Sequence, residues 1–215
     1  MNMKKSLACM ALMGLLSLSS ASHAALLLRG GGTMVYDTQS NLTWLVDASA
    51  GGPRSYGDAK AWAEGLVQGG FDDWRLPGVS PVNGLALQLD YSEDGSTDVG
   101  FNGSGLNAEL GHLFYSSLGN AAWSLANTGP FSGLLDAHDP IGPAFWTGTE
   151  SQDGWSLAFF MGIGDQEELA QDTLARAWAV RVGDVEASVP EPATLPLALA
   201  ALLGVIGLSR RSRQA

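Results

Sequence analysis

The chain has 215 residues, 46% of them hydrophobic, and a formal net charge of −11 from 22 acidic and 11 basic side chains. A field of that sign repels nucleic acids and other polyanions, which excludes them as partners. With one cysteine, Cys9, no intramolecular disulfide can form, so the fold rests on packing alone.

Met1–Ala24 reads as a secretory signal peptide. Lys4 and Lys5 precede the apolar run Leu7–Leu18. Ser22-His23-Ala24 then offers the small residues that a signal peptidase selects, so cleavage is expected after Ala24. Cys9 precedes most of the apolar run, which argues against a lipid-anchored cysteine. Ala25–Ser188 suits one domain. Six basic residues there face 21 acidic ones, a balance of −15 that favours cations, solubility and neutral or cationic partners. The 28 glycines and 7 tryptophans point to a loop-rich domain with aromatic anchors rather than a helical bundle.

Thr33–Asp47 has the pattern of a hairpin. Val35-Tyr36 begins a strand, Asp37–Asn41 supplies turn chemistry, and Leu42–Val46 returns. Ser55–Gln68 is the first expected helix. Ala59, Trp62, Ala63 and Leu66 share one face, Ser55 or Asp58 can cap it, and Gly69-Gly70 ends it. In Phe71–Pro77, Trp74 and Leu76 should point to one side of a short strand and Asp73 and Arg75 to the other. Arg75 is expected to form a structural ion pair with Asp72 or Asp73.

Asp90–Phe101 holds oxygen side chains at Asp90, Ser92, Asp94 and Asp98 with Gly95 between them, much of a calcium-loop pattern. Phe101 stands where the loop needs a bidentate Glu. A flexible acidic loop therefore competes with a calcium site, and no other cofactor is expected. Leu106–Leu118 is the second expected helix, with Leu106, Leu110, Leu113, Phe114 and Leu118 on one face. His112 lies beside that face and reads as a core-edge or surface residue. His138, between Asp136 and Asp139, reads as a solvated loop residue. Three strands should close the domain, at Ala144–Gly148, at Trp155–Met161, and at Ala177–Val182 with Trp178, Val180 and Val182 on one face. Asp165–Asp172 reads as an acidic, solvated connector. No Ser-His-Asp order, cysteine nucleophile or zinc-type histidine cluster points to an enzyme.

The blocks Val35-Tyr36-Asp37, Leu42-Thr43-Trp44-Leu45, Ala61-Trp62-Ala63 and Gly70–Pro77 resemble the Lcl C-terminal domain family. Glu109–Tyr115, Phe145–Glu150 and Ala177–Arg181 continue the likeness, which spans roughly Met34 to Asp184. The resemblance implies an α+β, C-type-lectin-like ectodomain over residues 25–184, with two helices packed on short antiparallel strands and long loops. It also implies an extracellular, glycan-facing role. The family's namesake domain binds sulfated polysaccharide. The acidic charge here argues against that ligand, and no motif fixes binding residues.

After a linker at 185–188, the tail has three parts. Val189-Pro190-Glu191-Pro192 is stiff and extended, because each proline fixes φ and biases the residue before it away from helix. Residues 193–208 carry no charge, a run of 16 against the roughly 17–25 of a spanning helix. Arg210, Arg211 and Arg213 favour the cytoplasmic side. Hydropathy alone fits a permanent anchor equally well. The three parts together, over 189–213, resemble the PEP-CTERM sorting signal. That implies an exosortase and the secretion machinery as partners, and a transmembrane, inner-membrane intermediate in a Gram-negative bacterium. It also implies cutting near Pro190-Glu191-Pro192, and then a cell-surface or extracellular location alongside exopolysaccharide and biofilm. The expectation is an exported, non-enzymatic surface or matrix protein that touches exopolysaccharide. A purely structural matrix component or a permanently anchored protein is the alternative.

Overall fold

The computed structural model describes residues 25–101, 107–135 and 142–186. The signal peptide and Ala24, His138, and the whole tail from Val189 to Arg213 with its 193–208 run lie outside the described residues. Among the described residues no helix is long and apolar enough to cross a membrane. The chain is mixed α+β, mostly strands with two short helices.

One sheet has four antiparallel strands in the order β1-β2-β3-β11: β1 (Leu26–Arg29), β2 (Met34–Asp37), β3 (Leu42–Leu45) and β11 (Val180–Val182). The expected hairpin is β2–β3, paired Met34↔Leu45 through Asp37↔Leu42. Asn41 closes its turn at φ +56, a conformation that asparagine tolerates. Asp37 is fully buried beneath the turn. Its carboxylate accepts from the Gln39 N–H at 2.9 Å and the Ser117 hydroxyl at 2.5 Å.

The second sheet runs β4-β10-β7-β8-β9-β6-β5. Its centre is β7 (Ala144–Gln152), β8 (Trp155–Phe160) and β9 (Asp165–Ala170), all antiparallel. Short strands flank it, with β4 (Pro53–Arg54) and β10 (Ala175–Arg176) on one side and β6 (Val99–Gly100) and β5 (Tyr91–Ser92) on the other. β9 corrects the expected acidic connector. Six consecutive pairings with β8 make Asp165–Ala170 a strand, because pairing and half-burial outweigh the low strand propensity of Asp and Glu. β7 also runs four residues past the expected Gly148. Trp155 and Val182 lie 42% and 56% exposed at strand ends.

Helix α1 (Tyr56–Glu64) starts as expected. The Ser55 hydroxyl accepts from the Asp58 N–H at 3.4 Å and donates to the Asp58 carboxylate at 2.8 Å. It stops at Gly65, short of Gln68, where the Gly65 N–H donates to the Ala61 carbonyl. Ala59 and Ala63 are fully buried against the sheet, and Trp62 is half-buried under the Arg54 guanidinium at 5.4 Å. The second helix is shorter than its apolar spacing predicts. α2 (Glu109–His112) passes into a π-helical turn, Leu113–Ser117, where the Leu118 N–H reaches back to the Leu113 carbonyl at 2.9 Å. Leu110, Leu113, Phe114 and Leu118 are nevertheless all buried as expected.

Trp178 is the hub of the core. Its ring lies 4.9 Å from Trp44, 5.1 Å from Phe131 and 5.7 Å from Phe145, and its indole N–H donates to the Leu45 carbonyl at 2.9 Å. Trp74 and Leu76 are buried as expected. Asp73 and Arg75 point the other way but do not pair with each other. The bridge Arg75↔Val180 lays β11 alongside. Arg181 then clamps Asp73 at 2.7 and 3.0 Å and covers the Phe71 ring at 3.9 Å. Arg75 reaches Glu109 instead.

Candidate functional site

Two surfaces present chemistry. The first is a cleft of about 400 Å³ lined by Lys60, Glu64, Arg75, Ser80, Asn107 and Glu109 among others. At its floor Glu109 accepts both Arg75 terminal N–H groups at 2.7 Å and the Gly78 N–H at 2.7 Å. Arg75 also donates to the Leu76 carbonyl at 3.0 Å. The charges at the floor are therefore used internally, to join the start of α2 to the Leu76–Gly78 turn.

The second surface lies where β5, β6 and the start of β9 meet. Phe101 is buried, and two exposed rings lean on it. Tyr91 stands edge-on at 6.2 Å and is 50% exposed; Trp123 lies tilted at 4.4 Å and is 66% exposed. Trp123 adopts φ +68, which is rare for a bulky residue, and its N–H donates to the Ile163 carbonyl at 2.7 Å. Two residues on, Asp165 and Glu167 alternate along β9 and so share a face. Asp165 is buried, with Oδ1 lacking a hydrogen-bond partner. Burial, then the charge and hydrogen bond of Glu167, push its carboxyl up to about 7. Burial also raises Glu167. The Tyr91 phenol is raised too, by its own desolvation and then by Asp165, Glu93 and Glu167 around it. Tyr115 closes the group by donating to the Gly164 carbonyl.

The four expected calcium ligands are not brought together. Asp98 is buried, and its two oxygens accept the Val82 and Gln88 N–H groups, each at 2.8 Å. Asp94 accepts from the Ser96 N–H at 3.0 Å, and the Ser92 hydroxyl accepts from Thr97 at 2.7 Å. Asp90 lies exposed just before β5. Among the described residues no group of three or more His, Cys, Asp or Glu side chains converges to hold a metal. Nor is this stretch a loose acidic loop. Asp98 pins it, and Val79, Val99, Ala108 and Leu157 form a small core beneath it with Leu87 and Leu89. His112 is buried rather than at the core edge, with neither ring nitrogen hydrogen-bonded. The sequence reading did not single out Trp123, Tyr91, Asp165 or Glu167. The one available signal was Trp123 in a polar, glycine-bounded stretch outside any apolar period.

No curated protein matches the chain. Residues 188–214 match the family described as the PEP-CTERM protein-sorting motif. That motif is the signal exosortases recognise, so it marks the chain for export and for sorting to the cell surface or exterior.

Proposed function

We propose that this is a non-enzymatic surface or matrix component of a Gram-negative bacterium, whose ectodomain is a C-type-lectin-like module of the Lcl C-terminal type that contacts exopolysaccharide. An inner-membrane intermediate, held by residues 193–208, precedes exosortase cutting near Pro190-Glu191-Pro192. Trp123 carries the glycan reading. Its indole is 66% exposed, in a left-handed backbone that costs on the order of 1–3 kcal/mol. Packing against Phe101 and the Ile163 carbonyl hold it there. A rigid, exposed indole beside a half-exposed phenol offers flat apolar faces for sugar rings and polar edges for their hydroxyls. A purely structural matrix role gives no reason to keep an indole out of the core in strained backbone.

The test uses the exported protein purified from its producing cells. Titration with oligosaccharides cut from the cells' own exopolysaccharide should change tryptophan fluorescence, and Trp123→Ala should weaken binding about tenfold or more. Equal binding by the variant, or none by either protein, favours the structural role. Sorting is tested separately: replacing Pro190-Glu191-Pro192 with alanines should leave full-length protein in the inner membrane.

A further inference from the structure

The aromatic ledge is not electrically neutral. Asp165 and Glu167 lie on one face of β9, Glu93 follows β5 directly, and the Tyr91 phenol sits within the field of all three. Among the described residues, ion pairs join Arg29 to Asp184 and Glu186, Arg75 to Glu109, and Arg181 to Asp73. A cluster of acids alone would mean little. Here the Asp165 side chain is more than nine-tenths buried and one of its oxygens has no partner, so a carboxyl that gains its charge only near neutral pH lies beneath the ledge. Aromatic faces with carboxylates behind them are the recognition chemistry of an ammonium group. The cation is attracted to the ring quadrupole, most strongly for Trp, and to the carboxylates through less screening than in water. The overall charge of −11 repels uronate- or sulfate-bearing chains at the same time.

We propose that the ledge of Tyr91, Phe101 and Trp123, backed by Asp165 and Glu167, selects polysaccharide bearing free amino-sugar ammonium groups over neutral or anionic polysaccharide. This rests on the glycan reading of the same ledge. It names the ligand class and adds a dependence on pH. Below neutrality the Asp165 carboxyl holds its proton. As pH rises through about 7 its charge appears, and a ligand of fixed positive charge binds more tightly. The groups that face this pair are Tyr91 and Glu93 on and after β5, Tyr115 on the π-helical turn, and Glu168 beside Glu167.

The exported protein is titrated by calorimetry with three oligosaccharides of matched length: N-acetylated chitooligosaccharide, its deacetylated and quaternised counterpart with permanent charge, and a dextran sulfate fragment. The quaternised ligand should bind about tenfold or more tighter than the acetylated one, and the sulfated one not at all. Between about pH 5.5 and 8 its affinity should rise several-fold. Glu167→Gln should move that rise to lower pH, because burial still raises Asp165 but the neighbouring charge is gone, with an unchanged thermal melt showing that the fold is kept. Asp153→Asn, a charge change of the same size in the exposed β7–β8 turn, should not. Trp123→Ala should weaken both chitooligosaccharides. If the two bind equally and Trp123→Ala weakens both, the ammonium selectivity is wrong and the glycan ledge stands. If Trp123→Ala changes neither, the ledge itself is wrong. If Asp153→Asn acts as Glu167→Gln does, the preference is only the overall charge, and the proposal falls.

Discussion

Replacing Glu109 by alanine should cost about 3 kcal/mol of folding stability. Glu109 accepts three charge-assisted hydrogen bonds, two from Arg75 and one from the Gly78 N–H, all at 2.7 Å. Bonds to charged groups contribute roughly 1.5–3 kcal/mol each, which taken at face value would exceed 4 kcal/mol. Side-chain exposure of 38% at Arg75 and 18% at Glu109 reduces this, because water can take over part of the guanidinium's bonding. The half-buried Gly78 N–H would lose its acceptor as well, with only cleft water to replace it. Arg75→Met should cost less, about 1–2 kcal/mol, since Glu109 keeps the Gly78 bond. The double variant should then show about 1 kcal/mol of coupling between the two positions. Urea denaturation followed by the core tryptophans measures all three. A Glu109→Ala loss below about 1 kcal/mol, or strictly additive effects, would refute the view that this carboxylate fastens α2 to the Leu76–Gly78 turn.

Gly100→Ala should unfold the β5–β6 region, because φ is +107 and a Cβ would lie 1.9 Å from the Ser92 carbonyl oxygen. Gly84→Ala, at φ +72 in open space, should cost only about 1 kcal/mol; similar melting losses in the two would count against the close approach. Stability should peak near about pH 4 and decline toward about pH 7. Asp165, raised to about 7 from 3.8, contributes most below its unfolded value, and that contribution disappears as pH rises through about 7. Asp73 and Asp184, lowered by Arg181 and Arg29, contribute above 3.8 and lose that contribution as pH falls through their folded values. Melts that are flat from pH 5 to 8, or an Asp165→Asn variant with the same alkaline decline, would contradict the Asp165 assignment. Trp123→Gly should relieve the left-handed backbone while losing the stack on Phe101, roughly 0.5–1.5 kcal/mol, for a small net change in melting temperature. A large loss would mean that Trp123 is a core residue.

Local patterns carried much of the fold. The β2–β3 hairpin, the Ser55 cap and the apolar face of the second helix are short-range features that period and turn chemistry encode directly. The charges are another matter. Arg75 has Asp73 two residues away, yet it pairs with Glu109, 34 residues on, because the neighbouring strand delivers Arg181 to Asp73 first. β9 was hidden for a related reason. Its sequence, Asp165–Ala170, has the composition of a loop, and only its neighbours β8 and β6 make it a strand. The ledge was least legible. Tyr91 and Phe101 come from one stretch and Trp123 and Glu167 from two others, and nothing in the order of residues announces that two buried-type aromatics remain outside. The calcium pattern shows the converse failure. Its oxygen spacing is present in the sequence, but Asp98 turns inward to hold the Val82 and Gln88 N–H groups.

The Arg29–Asp184 pair, bidentate at 2.8 and 3.0 Å with Glu186 at 3.6 Å, ties the first strand to the last described residues just ahead of the sorting tail. It works as a knot in the thread ahead of the sorting motif. Force or proteolysis applied beyond residue 186 meets this clasp before it can peel β11 from β3. Whatever acts on the sorting motif can therefore pull on it without first unravelling the globule.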